Sequence, residues 1–299
     1  MTHIGIFYMG RRTHFEQENE WVFHSCDTPE RIITPFFEPL MTTTYTKKGL
    51  SVFYEEAPFP QLDMLICRTA AFEEPSLHSV TLDFFKQIGC PMINAYPTVS
   101  LSRNKLAQQQ ILSEAGVPVP DWAVVRHPSQ MAIAVNHLGF PMMAKVAIGG
   151  RGKGVFYIEN EKTLQPILDY LNIRDRNPVI LQKCITESAG KDIRVFVIGN
   201  QAVAAMERIS QTKDVRANVA VGGRGTSFDV TPDIEHIALE AAKAMQLEIA
   251  GVDILLSTSG PVVIEVNACP VFSELQEVTG INIAEKIIEY AESKISHKK

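Results

Sequence analysis

The stretch GPVVIEVNACP, residues 260 to 270, sets polar groups into a run that otherwise reads as a buried strand: Glu265 and Asn267 interrupt Val262, Val263, Ile264 and Val266. Just upstream, AGVDILLS carries Asp253 in an equally apolar run, and the TSG between the two runs predicts a hairpin. Equal counting outward from that turn sets Asp253 about opposite Glu265. Because strand side chains alternate, Glu265 and Asn267 share a face, and a residue opposite Glu265 shares it too. Two carboxylates facing each other across a ladder repel, so the pair needs a cation or a strong donor beside it. An oxygen-only set of Asp253, Glu265 and Asn267 suits Mg2+, above all where phosphate oxygens complete the octahedron. The same residues also fit the solvated outer face of an ordinary hairpin, and the spacing alone leaves both readings open.

A second group bears on phosphate. PMMAKVAIGGRGKGVFYI places Lys145 on a strand and follows it with Gly149, Gly150, Gly152 and Gly154, with Arg151 and Lys153 among them. A turn so rich in glycine lets backbone N–H groups approach phosphate oxygens closely, and an ordinary hairpin tip has the same composition. The Walker pattern is absent, because Lys153 precedes glycine and valine and no helix opens there. The dinucleotide fingerprint fails for want of a strand-turn-helix setting. In protein kinases the glycine loop precedes the strand lysine, whereas here it follows.

These residues must be held by a large α/β chain. With 299 residues and 45% apolar content, the length favours two or more lobes. HIGIFYM (3 to 9) and LDMLICR (62 to 68) read as strands and SLHSVTLDFFKQIG (76 to 89) as a helix, giving a first α/β unit. Ser102 is the expected cap of a helix through RNKLAQQQILSEAG, ended by Gly116 and VPVP. A middle unit follows, with strands WAVVR, PMMAKVA, VFYI and PVILQKC and helices PSQMAIAVNHLG and EKTLQPILDYLN. DIRVFVIGNQAVAAMER predicts a hairpin about Gly199 and Asn200, and a glycine-rich loop lies at 222 to 225. A helix at 232 to 247, capped by Thr231 with Pro232 at its first position, precedes the Asp253 and Glu265 strands and a terminal helix.

Composition excludes several classes. The five cysteines are scattered and never form Cys-x-x-Cys, which argues against a disulfide framework and a thiolate zinc site. A net charge of −6 gives no general reason to bind nucleic acid. No apolar run approaches the ~18 residues of a membrane span, and the first residues do not read as a signal peptide, so the expectation is a soluble cytoplasmic enzyme.

Taken together, the segments resemble the ATP-grasp superfamily and, within it, the RimK-like glutamate ligases. The resemblance covers nearly the whole chain. From about residue 100 it is specific: SRNK, PMMAKVAIGGRGKGV, ILQKCI, GKDIRVFVIG, AAMER, DVRANV, AGVDIL and VVIEVNACP match family motifs in order. It implies an α/β (α+β) ATP-grasp fold with an N-terminal α/β domain (1–100), a central lobe (101–183) and a C-terminal lobe (184–299), ATP lying between the last two. It further implies that Lys105, Lys145 and the loop glycines Gly150 and Gly152 hold phosphates, with Arg216 and Asn218 beside them. Gln182, Lys183 and Cys184 would border adenine, and Asp192 would take the family's further nucleotide position. Asp253, Glu265 and Asn267 would bind Mg2+, with two ions expected and Mn2+ able to substitute. Arg68 matches a family arginine that faces substrate.

The reaction so implied is a carboxylate attacking the γ-phosphate of ATP, followed by an amine that converts the acylphosphate to an amide or peptide bond. Arg194, Arg208 and Arg216 are the candidates to meet the anionic group, while Arg194 and Arg208 would serve equally as structural ion-pair partners. The implied partners are ATP, an amino acid and a carboxylate acceptor, which could be a small molecule, a peptide or a protein C-terminus; homo-oligomerisation stays open. Three departures bear on the amino acid added. Ala220 and Val221 stand where relatives have His-Arg, with Arg224 nearby as a candidate substrate contact; Cys269-Pro270-Val271 replaces Ser-Pro-Gly; and Lys183 replaces an acidic residue. A nucleotide-binding regulator and a phosphotransferase are the alternatives on the same fold.

Overall fold

The computed structural model describes residues 1–9, 23, 26–69, 75–149, 154–174, 176–210 and 223–296. Strands β1 (Thr2–Met9) and β2 (Arg31–Phe37) begin a parallel sheet. Strands β3 (Met41–Thr46), β4 (Gly49–Tyr54) and β5 (Ala57–Pro58) form a small antiparallel sheet, and β6 (Met64–Thr69) and β7 (Met92–Ile93) then complete the first in the order β2-β1-β6-β7. β1 is buried from Ile4 to Met9, as a central parallel strand covered on both faces must be. Helix α1 (Pro75–Gln87) connects β6 to β7, and α2 (Thr98–Arg103) and α3 (Lys105–Glu114) lead out of this unit.

The middle sheet, in the order β10-β9-β11-β8, consists of β8 (Trp122–Val125), β9 (Met142–Val146), β10 (Val155–Ile158) and β11 (Val179–Lys183). Helices α4 (Met131–Leu138) and α5 (Glu161–Arg174) pack with it through Leu138, Leu164, Leu168 and Leu171, and this cluster is separate from the others. The third sheet, in the order β14-β13-β12-β15-β16, contains β12 (Lys191–Ile198), β13 (Gln201–Ser210), β14 (Gly223–Ser227), β15 (Ile249–Ser257) and β16 (Gly260–Asn267). Helix α6 (Pro232–Ala244) lies against it through Ile234, Ile237, Ala238, Ala241 and Ala242, one stripe at helical spacing. Helices α7 (Ser273–Thr279) and α8 (Ile283–Ser296) follow. Among the described residues no helix is long and apolar enough to cross a membrane.

The first and third sheets share their cores. On β12, Ile193, Val195 and Val197 join the cluster that holds α6 and Phe7, Leu65 and Phe85 of the first unit. Phe196 and Ile198, on the alternate face, join Ile4, Ile6 and Met64 together with Ile287 of α8. Arg31 on β2 strengthens the same junction, with Nη2 3.0 Å from Glu285 and Nη1 3.2 Å from Glu292.

Three local expectations are corrected. Ser102 lies inside α2 and donates to the Val99 carbonyl; the cap of α3 is Asn104, whose Oδ1 accepts from Leu106 and Ala107 at 3.0 and 3.2 Å. Asn104 is extended (φ −97°, ψ 103°) and breaks the run into two helices, as a side chain competing for helix N–H groups does. Thr231 precedes Pro232 but makes no side-chain cap bond, and α6 ends at Ala244. The terminal helix is two helices, with left-handed Gly280 (φ 70°) closing the first.

Asn94 pins the two units together. Its Nδ2 donates to the carbonyls of Ile249 (2.7 Å) and Ala268 (2.8 Å), and its Oδ1 accepts from the amides of Glu248 (3.0 Å) and Ile249 (3.1 Å). Its φ of 58° is one that asparagine tolerates better than most residues. Asn94→Ala is expected to destabilise the protein by about 3 kcal/mol or more, since buried backbone groups lose their partners and alanine enters the left-handed region. Urea unfolding measures this, and an unchanged midpoint would mean that Asn94 does not carry the junction.

Candidate active site

The β15–β16 hairpin turns on Thr258 and Ser259, with Ser257 paired to Gly260. That register differs by one residue from equal counting about TSG. A bulge cancels the difference: Ile254 pairs with Val263, Asp253 with Glu265, and Ile264 is the extra residue. The bulge also sorts side chains. Val263 and Glu265 would share a face in a regular strand, but the added residue lets Val263 enter the α6 core with Ile254 while Glu265 stands beside Asp253.

On that second face two cross-strand pairs join opposite charges and a third sets two carboxylates side by side. Arg208 on β13 is opposite Asp192 on β12, Arg194 on β12 is opposite Asp253 on β15, and Asp253 is opposite Glu265 on β16. Arg208 grips Asp192 through Nε and Nη2, both at 2.6 Å, and its Nη2 also lies 3.0 Å from Asp253 Oδ1. Arg194 grips Asp253 through Nε and Nη2, again both at 2.6 Å. Asp253 is only 3% exposed and Arg208 only 2%, so neither charge could persist without a counter-charge beside it. Burial pushes the Asp253 carboxyl up, but the two guanidiniums outweigh it and hold it below the usual carboxylate range. For Asp192 burial wins over Arg208, and the carboxyl is raised.

Lys105 closes the row, its Nζ 2.8 Å from Glu265 Oε1 and 3.3 Å from the Gly149 carbonyl at the entry to the glycine loop. Burial raises the Glu265 carboxyl and Lys105 more than reverses that. The start of α3 is fixed there by Lys105 N, which donates to the Ala147 carbonyl at 2.8 Å. Lys145 donates to Gln182 Oε1 at 2.5 Å, and Gln182 Nε2 donates to Gln109 Oε1 at 3.1 Å. Burial and the neighbouring Lys105 lower the Lys145 pKa to about 8.

Asn267 Nδ2 lies 3.5 Å from both Asp253 Oδ2 and the Gly251 carbonyl. Among the described residues no group of three His, Cys, Asp or Glu side chains is placed to hold a metal, so the candidate set is two carboxylates and one amide. That set supplies oxygen alone, which fits Mg2+ with phosphate oxygens completing the shell. Around it stand the cations Lys105, Lys145, Arg194 and Arg208 against the anions Asp192, Asp253 and Glu265, a surplus of positive charge suited to a polyphosphate.

Other expected residues are placed differently. The amides of Lys183 and Cys184 already donate to the carbonyls of Asp121 (2.8 Å) and Pro141 (3.2 Å), so they are not free to meet a base, and the Lys183 side chain is exposed. Arg224 is exposed on β14 beside Gly225, the partner of Arg208, so strand alternation aims it at the face opposite the charged row. Arg68 is buried near Pro270: its Nη2 is 3.2 Å from that carbonyl, its Cζ 4.9 Å from the Phe272 ring, and its Nε has no partner among the described residues. Gly150, Gly152, Arg216 and Asn218, with Arg151, Lys153, Ala220 and Val221, lie outside the described residues.

Two residues escaped the sequence reading. Gln108 accepts from the Val266 amide at 2.8 Å, between Glu265 and Asn267, and Gln109 steadies Gln182 beneath Lys145. Both are buried, at 1% and 3% exposure, and the only sequence signal is a glutamine run on the inner face of a helix that begins with Lys105.

Comparison with known proteins agrees with this geometry. A model of the RimK-like ATP-grasp domain matches residues 102–291. A probable alpha-L-glutamate ligase of Legionella pneumophila (strain Corby) is 34% identical over 239 residues, 80% of this chain and 78% of the relative. The structure of ATP-grasp ligase PsnB complexed with minimal precursor, Mg, and ADP is similar with a TM-score of 0.71 at 18% identity, covering 98% of this chain and 97% of that one. The D-alanine-D-alanine ligase from Coxiella burnetii gives 0.73 at 16% identity, covering 99% and 96%. Fold and site thus define an ATP-grasp ligase, an enzyme that uses ATP and Mg2+ to join a carboxylate to an amine. Within that class the chain belongs to the RimK-like family.

Lys145 generates a pH prediction. A polyphosphate bound against Lys145 would stabilise the charged lysine and raise its pKa above the value of about 8 in the free protein. Nucleotide affinity should then be full below about 8 and fall as pH rises above it. Calorimetry of ADP binding at pH 8 in buffers of different ionisation enthalpy should report proton uptake that is absent at about pH 6 and absent in Lys145→Met. Equal uptake in that variant would assign the proton to another group.

Proposed function

We propose that this ligase adds an amino acid, glutamate being the first candidate, to a carboxylate carried by a peptide, a protein C-terminus or a small molecule. The observation that carries the reading is the row Arg194–Asp253–Glu265–Lys105, in which every carboxylate faces a cation and Asn267 lies 3.5 Å from Asp253 on the same strand as Glu265. The glutamate assignment is supported by the Legionella relative's name, and a peptide acceptor by the precursor in the PsnB complex.

In this reading Lys105 and Lys145 bind the phosphates, helped by Gly150, Gly152, Arg216 and Asn218, and Gln182 orients Lys145. Gln182, with Lys183 and Cys184 through groups other than their engaged amides, borders the adenine, and Asp192 takes the further nucleotide position. Asp253, Glu265 and Asn267 hold two Mg2+ ions, for which Mn2+ can substitute. Magnesium supplies charge neutralisation on the transferring phosphoryl group when bound there. A carboxylate oxygen, held by Arg68, forms a bond to the γ-phosphorus as the bond to the β-γ bridging oxygen breaks and ADP leaves. The amine nitrogen then attacks the acyl carbon, inorganic phosphate departs and the amine loses a proton. Arg194 and Arg208 offset the charge on that group, and no protein nucleophile is required. The three units 1–100, 101–183 and 184–299 serve as substrate, nucleotide and metal lobes, and we place the enzyme in the cytoplasm.

The products test this. Incubation with ATP, Mg2+, glutamate and a peptide library should release ADP and phosphate, and hydroxylamine should trap the acylphosphate as a hydroxamate. Substrate-dependent AMP would contradict the mechanism, and a stable phosphorylated acceptor with no amide would make the protein a phosphotransferase. Glu265→Gln, nearly isosteric but uncharged, should lower turnover at least about a hundredfold while the folded protein persists. Wild-type rates in that variant at limiting Mg2+ would remove Glu265 from the metal site.

A further inference from the structure

Asp253 is held by two arginines that differ in what else holds them. Arg208 is chelated by Asp192 through two 2.6 Å bonds, so its 3.0 Å contact with Asp253 is supplementary. Arg194 has no such anchor: among the described residues both of its hydrogen bonds go to Asp253, at 2.6 Å each, and its side chain is 12% exposed against 3% for Arg208. Asp253 Oδ2, the oxygen nearest Asn267, carries the Arg194 Nη2 donor. A divalent cation bound to that oxygen at ~2.1 Å would lie within a few ångströms of the guanidinium, where the two like charges repel.

We propose that Arg194 is the resident counter-cation of Asp253, yields that carboxylate to the divalent cation that arrives with the nucleotide, and turns to the anionic acyl group, while Arg208 stays with Asp192. The proposal rests on the metal reading of Asp253 given above. The turn leads along the same face toward Pro270. Gly251 carries no side chain there, and Pro270 occupies the space beside it: a Cβ at that position would lie 3.7 Å from Arg194 Cδ and clash with Pro270 Cβ at 2.6 Å. The Pro270 carbonyl in turn accepts from Arg68, whose buried guanidinium has an Nε without a partner among the described residues. Two guanidiniums approach one another only with an anion between them, and the substrate carboxylate, then its acylphosphate, supplies that charge. Arg194 therefore becomes available to the acceptor only after the metal nucleotide is bound, which fixes the order of binding.

The test is a crystal structure of the whole chain with Mn2+ and ADP, the metal located by its anomalous signal. The expected result is Mn2+ on Asp253, Glu265 and Asn267, the Arg194–Asp253 bonds broken and the Arg208–Asp192 bonds kept. Mn2+ on Asp253 with Arg194 still bonded to it would overturn the hand-over and leave the metal reading intact. Mn2+ bound elsewhere would overturn both. In solution, electron paramagnetic resonance titration should show Arg194→Met binding Mn2+ in the presence of ADP at least about fivefold more tightly than wild type, because its competitor is gone. Unchanged or weaker binding would contradict the proposal.

Discussion

A carboxylate that is 3% exposed in the middle of a sheet must be neutralised where it stands, and the arrangement around Asp253 follows from that requirement. Its neighbours across the ladder are Arg194 on one strand and Glu265 on the other. The arginine satisfies it, but Glu265 is then a second, half-buried anion needing its own cation, and Lys105 comes from a different unit of the fold to meet it. Arg208 adds a second guanidinium and needs Asp192 to hold it. Each charge therefore calls for the next, and the row ties α3, the glycine-loop strand and the five-stranded sheet into one site.

The apolar scaffold makes this row possible by using strand faces unequally along their length. On β12 one face is apolar from Ile193 onward, while the other is charged at Asp192 and Arg194 and apolar at Phe196 and Ile198. The apolar half packs on the first unit and the C-terminal helix; the charged half faces the middle unit. Asn94 holds the ends of β15 and β16 at the boundary between these halves, and Gln108 holds β16 at Val266. The middle unit keeps its own core and meets the row at the Gly149 carbonyl, which accepts from Lys105, so Lys145 and the Glu265 strand belong to separately packed bodies.

Much of this was legible in the sequence because the polar residues interrupt strongly periodic apolar runs. The pairing of Asp253 with Glu265, the strand position of Lys145 and the hairpin about Gly199 all follow from such interruptions. The route to the first was not legible: a two-residue turn and a bulge at Ile264 offset one another, and neither leaves a mark in a run of β-branched residues. The helix break at Asn104 was hidden because Ser102 is also a good cap by type, and only the backbone decides between them. The roles of Gln108 and Gln109 depend on contacts more than 70 residues away, which a local pattern does not record. Likewise the face occupied by Arg224 became definite only once its pairing with Ile209 was known.

The central claim is that the buried charges of the row stabilise one another in the absence of ligand, and a double-mutant cycle on Asp253 and Arg208 tests it most directly. Asp253→Asn and Arg208→Met should each destabilise the protein in urea, by about 3–5 kcal/mol where the partner charge is left buried and uncompensated. If the charges are coupled, the double variant will lose clearly less than the sum of the two, with an interaction energy of about 1 kcal/mol or more. Simple additivity, with each single loss near zero, would show that the row is held by the surrounding packing and would contradict the account.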